Sequence, residues 1–146
     1  MPILNSQLDQ DGHATVDLVI LPAAPRRKAL QAAGQVVPPP QFAPGMIDPG
    51  AAFTVIDTQV RQSLGLVPFR VCRITVPNTL APVRVWAYKI DLAIQVPAGI
   101  LMLRPMLSVV EMPIIQTGVE VLVGTDVLSE CCFTHNGSAG TFSLAF

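Results

Sequence analysis

The sequence predicts an all-β domain with short helices, and three observations lead to this prediction. Runs rich in alternating, β-branched or aromatic residues cover Ala14 to Leu21, Arg70 to Val76 and Val83 to Val96, as in strands that pack into a sheet. Glycine and proline separate these runs and favour turns between them. The chain has 146 residues, a length that one domain with its own hydrophobic core can fill. We therefore expect a single domain over residues 1–146.

The predicted helices are brief and are recognised by their end signals. Proline is favoured in the first turn of a helix, glycine directly after its last turn, and Asp or Thr at the N-cap. These signals predict a helix from Pro25 to Gly34 followed by the extended Pro38-Pro39-Pro40 run. They also predict a second helix that Asp57 caps and that ends at Gly65, and a third that Thr125 or Asp126 caps and that runs through Leu128 and Ser129. Near the end of the chain, Asn136-Gly137 indicates a hairpin whose loop extends to Gly140.

Composition argues against several classes of function. The net charge is -1, from 9 basic and 10 acidic residues, which supplies no basic surface for nucleic acid or an anionic membrane. The longest apolar stretches, Val16 to Ala24 and Val96 to Leu103, are too short to span a bilayer. Asp9 and Asp11 precede the first apolar run, which is the opposite of a signal peptide's basic start. We expect no nucleic-acid partner, no membrane partner and no signal peptide.

The cysteines and histidines predict neither disulfides nor a metal site. Of the three cysteines, Cys131 and Cys132 are adjacent and are expected to pack as small hydrophobic residues with reduced thiols, which favours the cytoplasm. His13 and His135 lie in polar loops without cysteine or carboxylate at zinc spacing. No metal and no cofactor is therefore expected. With 51% hydrophobic and 13% charged residues, the chain is also apolar enough to predict an oligomer.

The most informative segment surrounds Asp48. This carboxylate stands in a turn between two apolar runs, residues 42–47 and 53–56, which predict two buried strands. Gly50 and Ala51 are small, so the chain can reverse there and other groups can approach the carboxylate closely. An acid in such surroundings is costly unless it is paired or used. Asp48 is therefore the candidate functional residue.

Three segments of the chain, in this order, resemble the motifs of retropepsin-like aspartic peptidases. Met46 to Ala51 resembles the Asp-Thr/Ser-Gly-Ala loop, Pro77 to Pro82 the tip of the hairpin flap, and Val121 to Leu128 the apolar-apolar-Gly segment that leads into a short helix. The resemblance covers Ala14 to Phe146 and has one catalytic loop rather than two, as in the short branch of the family. The helix and triple proline at about 25–40 resemble an insertion of bacterial members.

The resemblance implies a single-lobe acid-protease β-barrel that dimerises through its chain ends. It implies an aspartic endopeptidase that hydrolyses peptides or proteins as a homodimer, with one Asp per subunit activating a water. By this resemblance the catalytic residue is Asp48, the active-site loop is Pro49, Gly50 and Ala51, the flap includes Pro77, Asn78, Thr79 and Leu80, the structural family motif includes Gly124 and Asp126, and the interface includes Thr141 to Phe146.

One position departs from the family pattern. Pro49 stands where the family has Thr or Ser, whose hydroxyl donates a hydrogen bond across the two-fold axis. Proline has neither a hydroxyl nor a backbone N–H, so this bond is absent. Proline also biases Asp48 toward an extended backbone and stiffens the turn.

Three functions remain open from the sequence. They are an active homodimeric aspartic endopeptidase, a catalytically silent relative that binds peptides, and a β-rich interaction domain in which the Asp48 motif is incidental. Asp57 is expected to be a helix cap, and Asp126 either a helix cap or a structural hydrogen-bond acceptor. Trp86 and Tyr88 share one face of a strand and are expected to pack in the core or the cleft.

Overall fold

The computed structural model describes residues 1–77 and 79–146, so Asn78 of the predicted flap lies outside the described residues. Within these ranges the chain is mostly strand, with three short α-helices and one 3-10 helix. The elements are β1 Ile3–Gln7, β2 Thr15–Pro22, α1 Ala24–Ala32, β3 Gln41–Ile47, β4 Val55–Ile56, α2 Thr58–Ser63, β5 Arg70–Ile74, β6 Val83–Val96, β7 Gly99–Glu111, the 3-10 helix Ile115–Thr117, β8 Val121–Val123, α3 Thr125–Leu128, β9 Cys132–Asn136 and β10 Thr141–Ala145.

The main sheet closes on itself as a barrel, which confirms the predicted fold class. In the described part of the chain its strand order is β2-β3-β8-β4-β7-β6, and β2 pairs with β6 to complete six strands. Alternate side chains of β2 and β6 point inward, and Leu18, Ile20, Ile90, Leu92 and Ile94 are fully buried. A side chain of this kind contributes roughly 1.5–3 kcal/mol when it is removed from water. β5 continues the sheet beyond β6, outside the closed barrel.

The parallel pair β3–β8 determines where the candidate site lies. Ile47 at the end of β3 is opposite Val123 at the end of β8. Because parallel strands end at the same edge of a sheet, the residues that follow them leave the barrel side by side. Asp48 and Gly124 therefore meet at one end of the barrel, although they are far apart in sequence.

The hairpin of β6 and β7 contains a register irregularity between Ile90 and Ala93. Opposite this irregularity Met106 has a positive φ of 53°. The buried carboxylate of Asp91 accepts a hydrogen bond from the Met106 N–H and another from the Arg27 guanidinium, both at 2.9 Å. Since Arg27 belongs to α1, this ion pair fastens the predicted inserted helix to the barrel.

The two chain ends form a separate sheet with the order β1-β10-β9. Phe142 and Leu144 of β10 are buried, and Leu4 and Phe133 from the two flanking strands pack against the same core. The segment that was predicted to lie in a subunit interface is therefore also the middle strand of this sheet. Both backbone edges of β10 are paired, one with β1 and one with β9. The edges of this sheet that could pair with another chain are therefore the outer edges of β1 and β9.

The predicted N-terminal signals of α1 and α2 are confirmed, and that of α3 is wrong. Pro25 lies in the first turn of α1, and the Asp57 carboxylate caps α2 by accepting from the Gln59 N–H at 2.8 Å. The predicted cap of α3 at Thr125 or Asp126 is wrong, because Gly124 is the N-cap and no side chain caps it. Among the described helices, none is long and apolar enough to cross a membrane.

The two aromatic residues of β6 have different environments, which corrects the prediction for Trp86. Tyr88 is buried as expected, and its O–H donates to the Glu111 carboxylate at 2.7 Å. Burial and this hydrogen bond raise the pKa of Tyr88 to about 12. Arg61 of α2 pairs with the same Glu111, so the helix lies next to Tyr88. Trp86 lies closer to the flap tip and is 52% exposed, outside both the core and the groove described below.

Candidate active site

Asp48 is the first residue after β3 and is held at the barrel end by its backbone. Its N–H donates to the carbonyl of Val123 at 2.9 Å, which extends the β3–β8 pairing by one bond. The side chain is half-buried, whereas the next two residues, Pro49 and Gly50, are exposed. The carboxylate thus leaves a rigid strand end without being sealed in the core.

The loop after Asp48 is a tight turn organised by the carboxylate itself. Oδ1 of Asp48 accepts a hydrogen bond from the Gly50 N–H at 2.9 Å, and the Asp48 carbonyl accepts from the Ala51 N–H at 3.1 Å. Such an Asx turn orients the side chain relative to its own backbone. The hydrogen bond from the Gly50 N–H also holds one carboxylate oxygen in place, so the orientation of the Asp48 carboxylate is defined.

Thr54 joins this loop to the segment that follows β8. Its hydroxyl donates to Oδ1 of Asp126 at 2.7 Å and accepts from the Gly124 N–H at 3.1 Å. The Thr54 N–H donates to Oδ2 of the same Asp126 at 2.9 Å. Thr54 is fully buried, so these bonds satisfy groups that water cannot reach. Asp126 is therefore a structural acceptor, as one of the two sequence-based alternatives proposed.

Gly124 allows the two loops to touch. A Cβ at this position would lie 2.7 Å from the carbonyl carbon of Phe53 and 2.8 Å from the oxygen of Ala51. Both are backbone atoms, which cannot move without displacing the loop. The Thr125 N–H donates to the same Ala51 oxygen at 2.8 Å. The glycine of the predicted motif thus has a packing role that a side chain would prevent.

A groove of about 500 Å³ opens above Asp48. Its floor is the Asp48 loop, including Gly50, Ala51 and Phe53, and its wall is the end of β5 with the residues that follow it. Among the described lining residues, Asp48 and Arg73 are the charged ones. An acid at the floor of a largely apolar groove is an arrangement found in ligand and substrate sites.

A small apolar niche of about 40 Å³ lies beside the groove. The niche and the groove share part of their walls, because both are lined by Phe53, Ile74 and Val110. Cys72 also lines the niche and carries a free thiol. The niche is of a size to receive part of an apolar side chain from a ligand in the groove.

The predicted flap is a hairpin of β5 and β6, as the sequence indicated. Pro77 lines the groove, and the Thr79 N–H and hydroxyl both bond the Val76 carbonyl, at 3.4 and 2.9 Å. Leu80 is fully exposed. In the part of the tip that the structure describes, these hydrogen bonds stay within the tip and do not reach the floor of the groove.

Pro49 lies beside the groove rather than in it. It borders a separate shallow depression whose other walls include Thr125, Leu128 and Ser129 of the α3 region. Pro49, Thr125 and Ser129 are all exposed. The residue that departs from the family pattern is therefore on the surface next to the site.

The residues around His13 include carboxylates that sequence spacing did not indicate. Asp9, Asp11 and His13 place one potential ligand atom each within 4.8 Å of one another, in an exposed turn. Oδ1 of Asp9 accepts from the N–H groups of Asp11 and His13, both at 2.9 Å. The His13 bond is the main cause that lowers the pKa of Asp9. The cluster is thus explained as a hydrogen-bonded turn, and the ring of His135 bonds the Gly12 carbonyl beside it.

Sequence patterns do not identify two residues of the site. Thr54 lies within an apolar run, and a single polar residue between Phe53 and Val55 is a signal that its hydroxyl requires a partner. The sequence pattern around Arg73 indicates only a strand. Its position on the groove wall depends on how β5 folds back, which no local pattern encodes.

No protein-family model and no curated protein sequence matches this chain. The structure is similar to that of a retropepsin-like aspartic protease from Rickettsia conorii, with a TM-score of 0.59 and 13% identity over 99% of this chain and 91% of that chain. It also aligns with EIAV protease in complex with the inhibitor HBY-793, with a TM-score of 0.46 and 13% identity over 86% and 93%. At this identity the first similarity establishes the fold, and the chain has a retropepsin-like acid-protease fold.

Proposed function

We propose that the protein is an aspartic endopeptidase that works as a homodimer. The observation that carries this proposal is the placement of Asp48, a half-buried carboxylate at the floor of a groove of about 500 Å³, on a loop fixed by backbone bonds. A peptidase needs such an acid in a defined direction and next to a space for an extended peptide.

The chemistry explains why a second copy is required. Hydrolysis by carboxyl groups needs one carboxylate to take a proton from water and one carboxylic acid to polarise the peptide carbonyl. Two carboxyl groups held close together share a proton, because like charges cannot both ionise at low cost. Among the described residues that line the groove, Asp48 is the one acid. A two-fold axis would supply the second Asp48 from the partner.

The surface next to Asp48 fits this assembly. Pro49, Thr125 and Ser129 are exposed beside the groove, where an axis through the two Asp48 loops would bury them. The chain ends offer the outer edges of β1 and β9 for pairing with another copy. A truncation of β10 would be a poor test of this interface, because it would also remove Phe142 and Leu144 from the core.

The groove and niche indicate what part of a substrate they bind. An extended peptide can lie between the Asp48 loop and the flap, and the niche lined by Phe53, Ile74 and Val110 accepts an apolar side chain. We therefore propose that cleavage occurs next to an apolar residue.

The experiment is a cleavage assay on a peptide library between about pH 3 and pH 7, because a pair of carboxyl groups that shares one proton is expected to be most active at mildly acidic pH. We expect Asp48→Asn to reduce turnover by at least about 10³-fold, in the range that general acid–base groups contribute. Asp17→Asn is the matched control, because Asp17 is an exposed carboxylate on β2. Equal activity of wild type and Asp48→Asn would refute the proposal.

A second candidate function is favoured by Pro49. If the missing cross-axis hydrogen bond prevents catalysis, the protein is a peptide-binding relative that keeps the groove. Pro49→Thr restores a hydroxyl and an N–H, and each neutral hydrogen bond regained contributes about 1 kcal/mol. A tighter dimer with higher turnover supports the endopeptidase, whereas a tighter dimer that binds peptide without cleaving it supports the binding module.

A further inference from the structure

The flap hairpin is a strongly basic element on an otherwise acidic chain. Residues 70–89 contain four of the nine basic residues and no acidic residue. The remaining five basic residues of the chain stand against all ten acidic residues. The near-neutral net charge therefore hides a positive hairpin, and this hairpin forms the wall of the groove above Asp48.

Two of these cations lie where their mutual repulsion destabilises the hairpin. Arg73 of β5 is directly opposite Arg84 of β6, and both are exposed. Like charges in directly opposed positions of a sheet repel one another. The other two cations of the hairpin contact the ring of Phe69, at 5.2 Å for Arg70 and 5.1 Å for Lys89. Among the residues that the structure describes, neither Arg73 nor Arg84 has an acidic partner.

The surroundings of the arginine pair indicate the kind of group it binds. Arg73 lines the groove together with Asp48. Arg84 borders a shallow depression with Val71 and Trp86, on the face of the hairpin that also carries Arg73. A guanidinium binds carboxylates through two parallel hydrogen bonds, and the neighbouring apolar side chains suit an apolar residue beside the acid.

We propose that the flap selects peptides with acidic side chains, which Arg73 and Arg84 bind next to the groove. This inference rests on the proposed function, since it names the substrate class of the same site. A bound carboxylate neutralises the Arg73–Arg84 repulsion, so the hairpin is most stable with an acidic ligand in place. The acid of the substrate lies beside the scissile region, while the apolar niche takes a different side chain.

Single-stranded nucleic acid is the other ligand that arginines and an exposed tryptophan can bind. It carries a charge on every phosphate, and the acidic excess outside the hairpin repels such a polyanion. A peptide can place one or two carboxylates on the arginines and leave the rest of its length neutral. The charge distribution therefore favours the acidic peptide.

The test measures binding without cleavage. Trp86 is the only tryptophan of the chain and is half-exposed on the same face as Arg73 and Arg84, so its fluorescence reports on ligands there. Asp48→Asn protein is titrated with two short peptides that have the same apolar centre and carry either Glu or Gln on both sides of it. We expect the Glu peptide to bind roughly 3- to 10-fold more tightly at low salt, the range for one to two exposed ion pairs.

The variants assign the effect to the arginine pair. Arg73→Gln and Arg84→Gln are each expected to reduce the preference for Glu to less than about half, and added salt of about 0.5 M to remove it. Arg26→Gln, at an exposed cation on α1, is the matched control and is expected to leave the preference unchanged. Equal binding of the two peptides, a preference that survives both variants, or binding of an oligothymidylate in place of the peptides would overturn the inference. Hydrolysis by the wild type is measured separately, so a protein that prefers Glu peptides without cleaving them contradicts the endopeptidase and not this selectivity.

Discussion

The two turns that border the groove are built in opposite ways. The loop from Asp48 to Thr54 is bonded to the end of β8 at Val123, and to the segment after β8 through Gly124 and Asp126. The flap tip, residues 75–82, carries hydrogen bonds within itself where the structure describes it, and Leu80 is fully exposed. One turn carries the acid of the site and the other extends from a basic hairpin.

This difference separates two requirements of a peptide-cleaving site. In the proposed peptidase the Asp48 carboxylate must keep its direction, because small displacements reduce the rate strongly, and the long-range hydrogen bonds of the Asp48 loop would hold it. A cover over the groove must admit and release an extended peptide, which a turn with few bonds to the barrel permits. Under the proposed function, the bonds below the groove stabilise the fold, and the hairpin above it selects the ligand.

The largest effect is expected when the bonds below the groove are removed. Asp126→Ala leaves the buried N–H and hydroxyl of Thr54 without their acceptor, which costs about 3 kcal/mol of unfolding free energy. Urea unfolding measures this loss, and cleavage should fall with it because Asp48 loses its support. A change below about 0.5 kcal/mol would mean that the Thr54 bonds do not hold the loop.

A smaller loss is expected when the contact between the two loops is widened. Gly124→Ala forces a methyl group against the backbone of Phe53 and Ala51 and should cost about 2 kcal/mol. Gly137→Ala is the control, since a Cβ there would meet only the His135 ring, at 3.5 Å. Thermal unfolding of both variants provides the measurement. If the two alanine variants were equally stable, the close approach at Gly124 would carry no energetic weight.

The hydrogen bonds of Asp57 predict how the stability of the fold depends on pH. Burial acts to raise the pKa of Asp57, but hydrogen bonds from the N–H groups of Gln59, Ile114 and Ile115 outweigh it and lower the pKa. Asp57 therefore stabilises the fold above its ordinary pKa of about 3.9, and this contribution is lost as pH falls through the lowered value. Below about pH 4, wild type should lose stability with falling pH more steeply than Asp57→Asn. Parallel stability curves for the two proteins would contradict this role.

The smallest effect on stability is expected at the flap tip. Leu80→Ser removes an exposed side chain and should change the unfolding free energy by less than about 0.5 kcal/mol. If the tip covers bound peptide, KM should rise while the pH profile of cleavage is unchanged. A loss of stability comparable with that of Gly124→Ala would show that the tip is part of the rigid framework after all.

Sequence patterns predicted the structural features that depend on residues close together in the chain. The bounds of β6, the cap at Asp57 and the proline in the first turn of α1 all follow from residue pattern. β1 was not predicted, because its Asn, Ser and Gln residues are poor strand formers and pair only where β10 already lies beside them. β7 was not predicted as a strand either, since Arg104 and Pro105 interrupt its pattern at the register irregularity.

The candidate site also has parts that local sequence patterns predicted and parts that they did not. Asp48 was recognised because its turn residues are contiguous in sequence. The bonds between Thr54 and Asp126 join residues 72 positions apart, and the opposition of Arg73 and Arg84 depends on hairpin register. Such contacts are created by the parallel pairing of β3 with β8 and by the length of the flap turn, so single-residue patterns do not contain them.

The central claim is that each active site needs Asp48 from two chains, and subunit mixing tests it most directly. Wild-type and Asp48→Asn chains are combined at constant total concentration, with chain exchange verified by tags of different mass. If every site requires both aspartates, activity follows the square of the wild-type fraction and falls to about one quarter in an equal mixture. A linear decrease, to about one half, would mean that one chain carries a complete site and would contradict the account.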